Sequence, residues 1–148
     1  MKKQFVITND LQETSRLCAD AEQFLEEAGT PPGAIYGAVL ALEEMISNII
    51  KYGYDDHADH LITATLSVQN DGVELLLEDD GHFFNPLESP APDTDLPLQD
   101  RRIGGLGIHL VRKLAHSMNY RRTASRNQLE ISIRGGRRGS GTASTVES

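Results

Sequence analysis

A single cysteine, Cys18, stands in a chain of 148 residues, which excludes a disulfide within the chain and the cysteine cluster of a structural zinc site. A reducing compartment fits that usage. Positive charge is also in short supply, with Lys+Arg 14 against Asp+Glu 22 and a formal charge of -8, which disfavours broad attraction to nucleic acid or anionic membrane. The opening MKKQFVITND has two lysines but only a five-residue apolar-leaning stretch, far short of a signal-peptide core or a membrane span. These shortages lead to the expectation of a cytoplasmic protein without direct nucleic-acid or membrane partners. What is present suffices for one core: 39% apolar and 24% charged residues in a length suited to one ordinary domain.

The patterning predicts alternating classes of element. Gln4 to Thr8 is short, β-branched and aromatic, a strand that stops at the capping residues Asn9-Asp10. Leu11, Leu17, Ala21, Phe24, Leu25 and Ala28 then recur at helical spacing, and Gly29 with Pro31-Pro32 ends a helix over about 10–28. Ile35, Val39, Leu42, Met45, Ile46 and Ile49 form the stripe of a second helix ending near Gly53. Leu61–Val68 and Val73–Glu78 flank Asn70-Asp71-Gly72, a hairpin signal. Residues 79–103 read as a long loop carrying Pro86, Pro90, Pro92 and Pro97, and such a loop within one domain is usually functional. Gly104-Gly105-Leu106-Gly107 precedes a third helical stripe, Ile108, Val111, Leu114 and Ala115, closing near Met118-Asn119. Tyr120–Thr123 and Gln128–Ile133 make a last strand pair across Ala124–Asn127, and GGRRGSGTASTVES beyond Arg134 reads as a disordered Gly/Ser/Thr tail. The order gives an α+β, two-layer sandwich with helices on one face of a mostly antiparallel sheet.

Three short segments carry chemistry. Glu44, Asn48 and Tyr52 stand at i, i+4 and i+8, so a carboxylate and a carboxamide share one helix face; taken alone, such a face is also simply a solvated one. Asp79-Asp80-Gly81 puts a carboxylate at a strand end, where it marks a turn or accepts a hydrogen bond from an amino group, with Gly81 letting backbone approach a flat ligand such as a purine. The glycines of 104–107 offer backbone N–H groups to an anion at a helix N-terminus, without the Gly-Lys-Ser/Thr of a P-loop or the preceding strand of a Rossmann turn. The histidines are ordinary by this reading. His57 and His60 lack a third metal ligand nearby, His109 and His116 fall seven residues apart on the third helix, and His82 follows the strand-end turn.

Together, ALEEMISNIIKYGY (41–54), EDDGHFFNPL (78–87) and GGLGIHLVRKL (104–114) resemble the N, G1 and G2 boxes of the GHKL (Bergerat-fold) ATP-binding superfamily, in order and in register over about residues 3–134. The short length, the F-x-P ending of the second box and the finish Tyr120-Arg121-Arg122 with Asn127-x-Leu129 look most like the anti-sigma factor serine/threonine kinases. The resemblance implies ATP and Mg2+ as cofactors, with Asn48 as the magnesium-binding asparagine and Glu44 as the general base. It also implies Asp79 as the adenine-reading carboxylate and Gly81 as the close-approach glycine. Gly104, Gly105, Leu106, Gly107 and Ile108 would form the phosphate-facing turn. About Leu87 to Ile103 would be the ATP lid, ending in Arg101 and Arg102, each able to meet a phosphate or to be simply solvated. Tyr52 stands where the family often has His.

The resemblance further implies a protein kinase that binds a sigma factor, phosphorylates a STAS-type anti-sigma-factor antagonist and pairs as a homodimer through its first strand and helix. A nucleotide-gated binding module without catalysis is the alternative, and retention of Glu44 favours the kinase. A detached histidine-kinase ATPase domain fits less well, because no phosphoacceptor helix pair is present in the sequence.

Overall fold

Residues 1–88 and 103–135 are described by a computed structural model. They form β1 (Lys2–Thr8), α1 (Leu11–Glu27), α2 (Pro32–Tyr52), β2 (Leu61–Gln69) and β3 (Gly72–Asp79), then a 3-10 turn (Pro86–Glu88), α3 (Ile103–Leu114), β4 (Ser117–Thr123) and β5 (Arg126–Arg134). The strands make one sheet in the order β1-β2-β3-β5-β4, every neighbouring pair antiparallel. The expected α+β sandwich is the fold observed. Alternation along β2 and β3 turns Ile62, Ala64, Leu66, Val73, Leu75 and Leu77 into the core against α1 and α2, as period-two patterning requires when one face is covered.

Asp10 caps α1, its carboxylate accepting from Gln12 N at 2.9 Å, while Asn9 spends its amide on Ala58 O and the amide N of His60. Pro32 opens α2 at its first turn, so the Pro-Pro-Gly break is the helix start itself. The buried face of α2 includes Leu42, Met45 and Ile46 of the expected stripe, but Ala34, Gly37, Ala38 and Ala41 complete it, while Ile35, Val39 and Ile49 are only partly covered. Small residues let the helix lie close on the sheet: a Cβ at Gly37 would come within 2.9 Å of Ile133 Cγ2. By length and composition α2 also matches a membrane span, but here its apolar face packs into this core.

Three expectations need correction. α3 ends at Leu114, so Met118 and Asn119 belong to β4 and His116 is not helical; its N–H already bonds Ser132 O of β5 at 2.7 Å. The glycines of 104–107 lie inside the first turns of α3 rather than ahead of it. The last hairpin turns tightly at Ala124 and Ser125, both at positive φ (53° and 65°), and Arg126 and Asn127 are already in β5. In the expected loop, Pro86–Glu88 forms the 3-10 turn with Pro86 buried; most of the expected lid, with Arg101 and Arg102, and the expected tail lie outside the described residues.

Candidate functional site

β3 carries Asp79 to its C-terminal end, where the residue is only 3% exposed. The register places Asn127 of β5 directly opposite, and its carboxamide nitrogen donates to Asp79 Oδ1 at 3.0 Å. Gly81 N donates to the same oxygen at 2.8 Å. Burial raises the Asp79 carboxyl above the ordinary carboxylate range, against the pull of the hydrogen bonds from Asn127 and Gly81. Among the described residues no donor meets Oδ2, which leaves that oxygen able to accept a hydrogen bond.

The chain turns sharply beside this carboxylate, and glycine is what permits it. A Cβ on Gly81 would lie 2.5 Å from Gly53 O and 3.0 Å from Asp79 Oδ1, while His82 N bonds Gly53 O at 2.9 Å and ties the turn to the end of α2. A narrow, largely apolar cleft opens here. Met45, Ile49, Leu77, Phe84 and Pro86 give it apolar walls, with Asp79, Asn127 and the Tyr120 hydroxyl as polar groups. A flat apolar ring bearing one amino group suits that lining. Phe83 meets Tyr120 edge to face nearby, at 5.5 Å between centroids.

A second group of residues stands where α2 meets α3. Glu44 and Asn48 are one turn apart, and Asn48 is buried. The Asn48 nitrogen donates to Glu44 O at 2.6 Å, which leaves the carboxamide oxygen as the end available to a hard cation. Burial, reinforced by Glu43, raises the Glu44 carboxyl above its ordinary value, while Lys51 lowers it. Gly107 of α3 sits against this carboxylate: a Cβ there would fall 1.8 Å from Glu44 Oε1, so a side chain at 107 would make the carboxylate swing out of this position. The first N–H groups of α3, from Ile103 onward, lack helical partners by the geometry of any helix start and carry the positive end of its dipole.

Of the residues singled out in the sequence, Asp79 and Gly81 come together at the cleft, and Glu44, Asn48 and Gly107 where α2 meets α3. Gly104, Gly105 and Leu106 are in the first turns of α3, and Ile108 is buried in the core. Tyr52 is 46% exposed and is not part of the cleft lining. Sequence reasoning missed Asn127 and Tyr120 as cleft residues. Their only trace was the closing pattern of the chain, because the contact depends on strand register. Away from the site, burial pushes the Cys18 thiol up to about 11, so it is an unreactive thiol at neutral pH. His60 lies between Asp56 Oδ1 at 2.8 Å and Asp80 Oδ1 at 3.2 Å, stacked on Tyr54.

The chain is similar to known proteins in sequence and in fold. The serine/threonine-protein kinase BtrW of Bordetella bronchiseptica is 27% identical over 92 residues, 62% of this chain and 65% of that protein; the match thus spans just under two thirds of the relative. A crystal structure of the RsbU and RsbW domains of a Mycobacterium tuberculosis protein has the same fold, with a TM-score of 0.62 at 16% identity, over 90% of this chain and 32% of that one. Residues 7–133 match the family described as the histidine kinase-like ATPase domain, and the chain belongs to that family.

Proposed function

We propose that this protein is an ATP-dependent serine/threonine protein kinase, an anti-sigma regulatory factor that phosphorylates a STAS-type anti-sigma-factor antagonist in the cytoplasm. The observation that carries this reading is the seating of Glu44 against Gly107, at the helix start suited to phosphate, with Asn48 one turn away. Family membership and the named kinase relative support it. Asp79 Oδ2 and the apolar cleft would take adenine, Gly81 giving the ring its close approach. Asn48 would hold Mg2+ through its oxygen, with the N–H groups at the start of α3 toward the phosphates. When bound, Mg2+ supplies charge neutralisation on the phosphate oxygens.

Glu44 would serve as the general base. It would accept the proton of a partner's Ser or Thr hydroxyl as that oxygen bonds the terminal phosphorus and the bridging P–O bond breaks, releasing ADP. Its raised carboxyl brings its proton affinity toward the neutral working range. A partner-switching circuit, with a sigma factor as the other ligand and pairing of two copies through the sheet edge β1 and through α1, completes the reading.

The test is a pull-down from native lysate with Mg2+ and ATP, followed by mass spectrometry of the recovered proteins and phosphosites. A small STAS-type protein should carry a new phosphoserine or phosphothreonine. Glu44→Gln should bind ATP yet lose about 10²–10⁴-fold in transfer, the range general-base catalysis contributes. Full phosphorylation by that variant would remove the base role, and a partner held with ATP but never modified would make the domain a nucleotide-gated clamp.

A further inference from the structure

Asp79, Asn127 and Arg122 form a lateral row across three adjacent strands. Register pairs Asp79 of β3 with Asn127 of β5, and Asn127 with Arg122 of β4. The tight turn at Ala124 and Ser125 brings Arg122 back across from Asn127. One guanidinium nitrogen, Nη1, donates both to Asn127 Oδ1 and to Gly81 O, each at 3.0 Å. The Tyr120 hydroxyl donates to the same Asn127 oxygen.

That pattern determines which way the carboxamide faces. With two donors on its oxygen, Asn127 must turn its nitrogen toward acceptors, and it meets Asp79 Oδ1 at 3.0 Å and His82 O at 3.0 Å. Asp79 Oδ1 then has two donors, Asn127 and Gly81 N. The other carboxylate oxygen remains for the ligand, and it can only accept while the group is ionised. A ring with an amino group at that place is matched, whereas a ring with a carbonyl there sets oxygen against oxygen.

We propose that Arg122 is a positioning residue for the base pocket, which through Asn127 and Gly81 O holds Asp79 so that the site prefers an amino-substituted purine to an oxo-substituted one. The inference rests on the nucleotide reading above. Arg122 touches no ligand in this scheme; it holds the group that reads the base. Its own exposure at the surface means that removing the guanidinium opens no core cavity.

The test is calorimetric titration of adenosine triphosphate and inosine triphosphate, which differ at that amino or oxo group, into the full chain and its Arg122→Met and Arg122→Lys variants. The wild type should prefer ATP. Arg122→Met should weaken ATP about tenfold, or about 1.4 kcal/mol, with inosine triphosphate little changed, so the preference falls by the same factor. Arg122→Lys, which keeps a charged donor, should recover part of it. A general loosening of the fold would weaken both nucleotides alike, so an unchanged ATP-to-inosine ratio in Arg122→Met overturns the inference while leaving nucleotide binding intact. Should Arg122→Met fail to fold, Arg122→Ala carries the same comparison, and a wild-type ratio in it counts against the role. If the wild type binds neither nucleotide, the nucleotide reading falls and this inference with it.

Discussion

The two halves of the candidate site are built from different materials. Around Asp79 the sheet supplies a closed network: Gly81 N and Asn127 hold one carboxylate oxygen, and Tyr120 and Arg122 hold Asn127 in turn. Around Glu44 the helices supply reach instead, with a carboxylate against a bare glycine backbone, a carboxamide whose nitrogen donates to Glu44 O, and the N–H groups at the start of α3 that have no partner within the helix. A flat, weakly charged ring is best read by groups already locked in place, because their ordering cost is met on folding. Phosphates and a cation bring strong fields of their own, so donors and acceptors left open at helix ends suffice. In the proposed function the sheet half would read the base and the helical half would cradle the phosphates.

Removing one group from each half separates them. Asn48→Ala should have the largest effect, abolishing Mg2+-dependent ATP binding in calorimetry while binding of adenosine alone survives; unchanged ATP affinity would take Asn48 out of the cation site. Asp79→Asn should do the reverse, weakening ATP and adenosine alike by about a hundredfold, in keeping with the ~1–3 kcal/mol cost of a mismatched buried polar group. Its stability should move the other way. The Asp79 carboxyl is raised in the folded chain by burial, so its contribution to stability is complete below the unfolded value of about 3.9 and is lost as pH rises through the folded one. The amide carries no such penalty, and Asp79→Asn should melt above wild type at neutral pH but not at strongly acid pH. A lower melting temperature at neutral pH would show that the carboxylate is needed for the fold itself.

The smallest effect sharpens the helical half. Glu43 is exposed and helps to raise Glu44, so Glu43→Gln should lower the Glu44 value. A base works when deprotonated, so transfer is present above its pKa and fades as pH falls through it. The acidic limb of kcat/KM should therefore move to lower pH in Glu43→Gln, with the plateau kept. An unmoved limb would mean that another group titrates in that profile.

The same division marks what could be read before the fold was known. Glu44 and Asn48 are one helical turn apart, a relation set by local geometry and visible in any sequence with that spacing. The glycines of 104–107 are local in the same way, although their place inside α3 rather than ahead of it was not visible. Asn127 and Tyr120 were missed as cleft residues because Asn127 lies 48 positions from the carboxylate it serves, and strand register joins them. The buried face of α2 was partly misjudged for a related reason: Ile35 and Val39 are the more apolar residues, but close packing on Ile133 selects the small Gly37. Volume at a contact is decided by the neighbour, which periodicity does not contain.

From the sequence alone came the order of strands and helices, the α+β class and the three boxes whose resemblance to ATP-binding proteins the family match bears out. Those follow from short-range rules: alternation, helical spacing, capping and turn chemistry act over a few residues. The tertiary structure alone decided that β5 lies between β3 and β4. That placement sets Asn127 opposite Asp79 on one side and opposite Arg122 on the other, and from it follows which carboxylate oxygen is left for a ligand. Hydrogen bonds between distant segments exist only after the sheet has brought them to within about 3 Å, and no local pattern encodes that meeting.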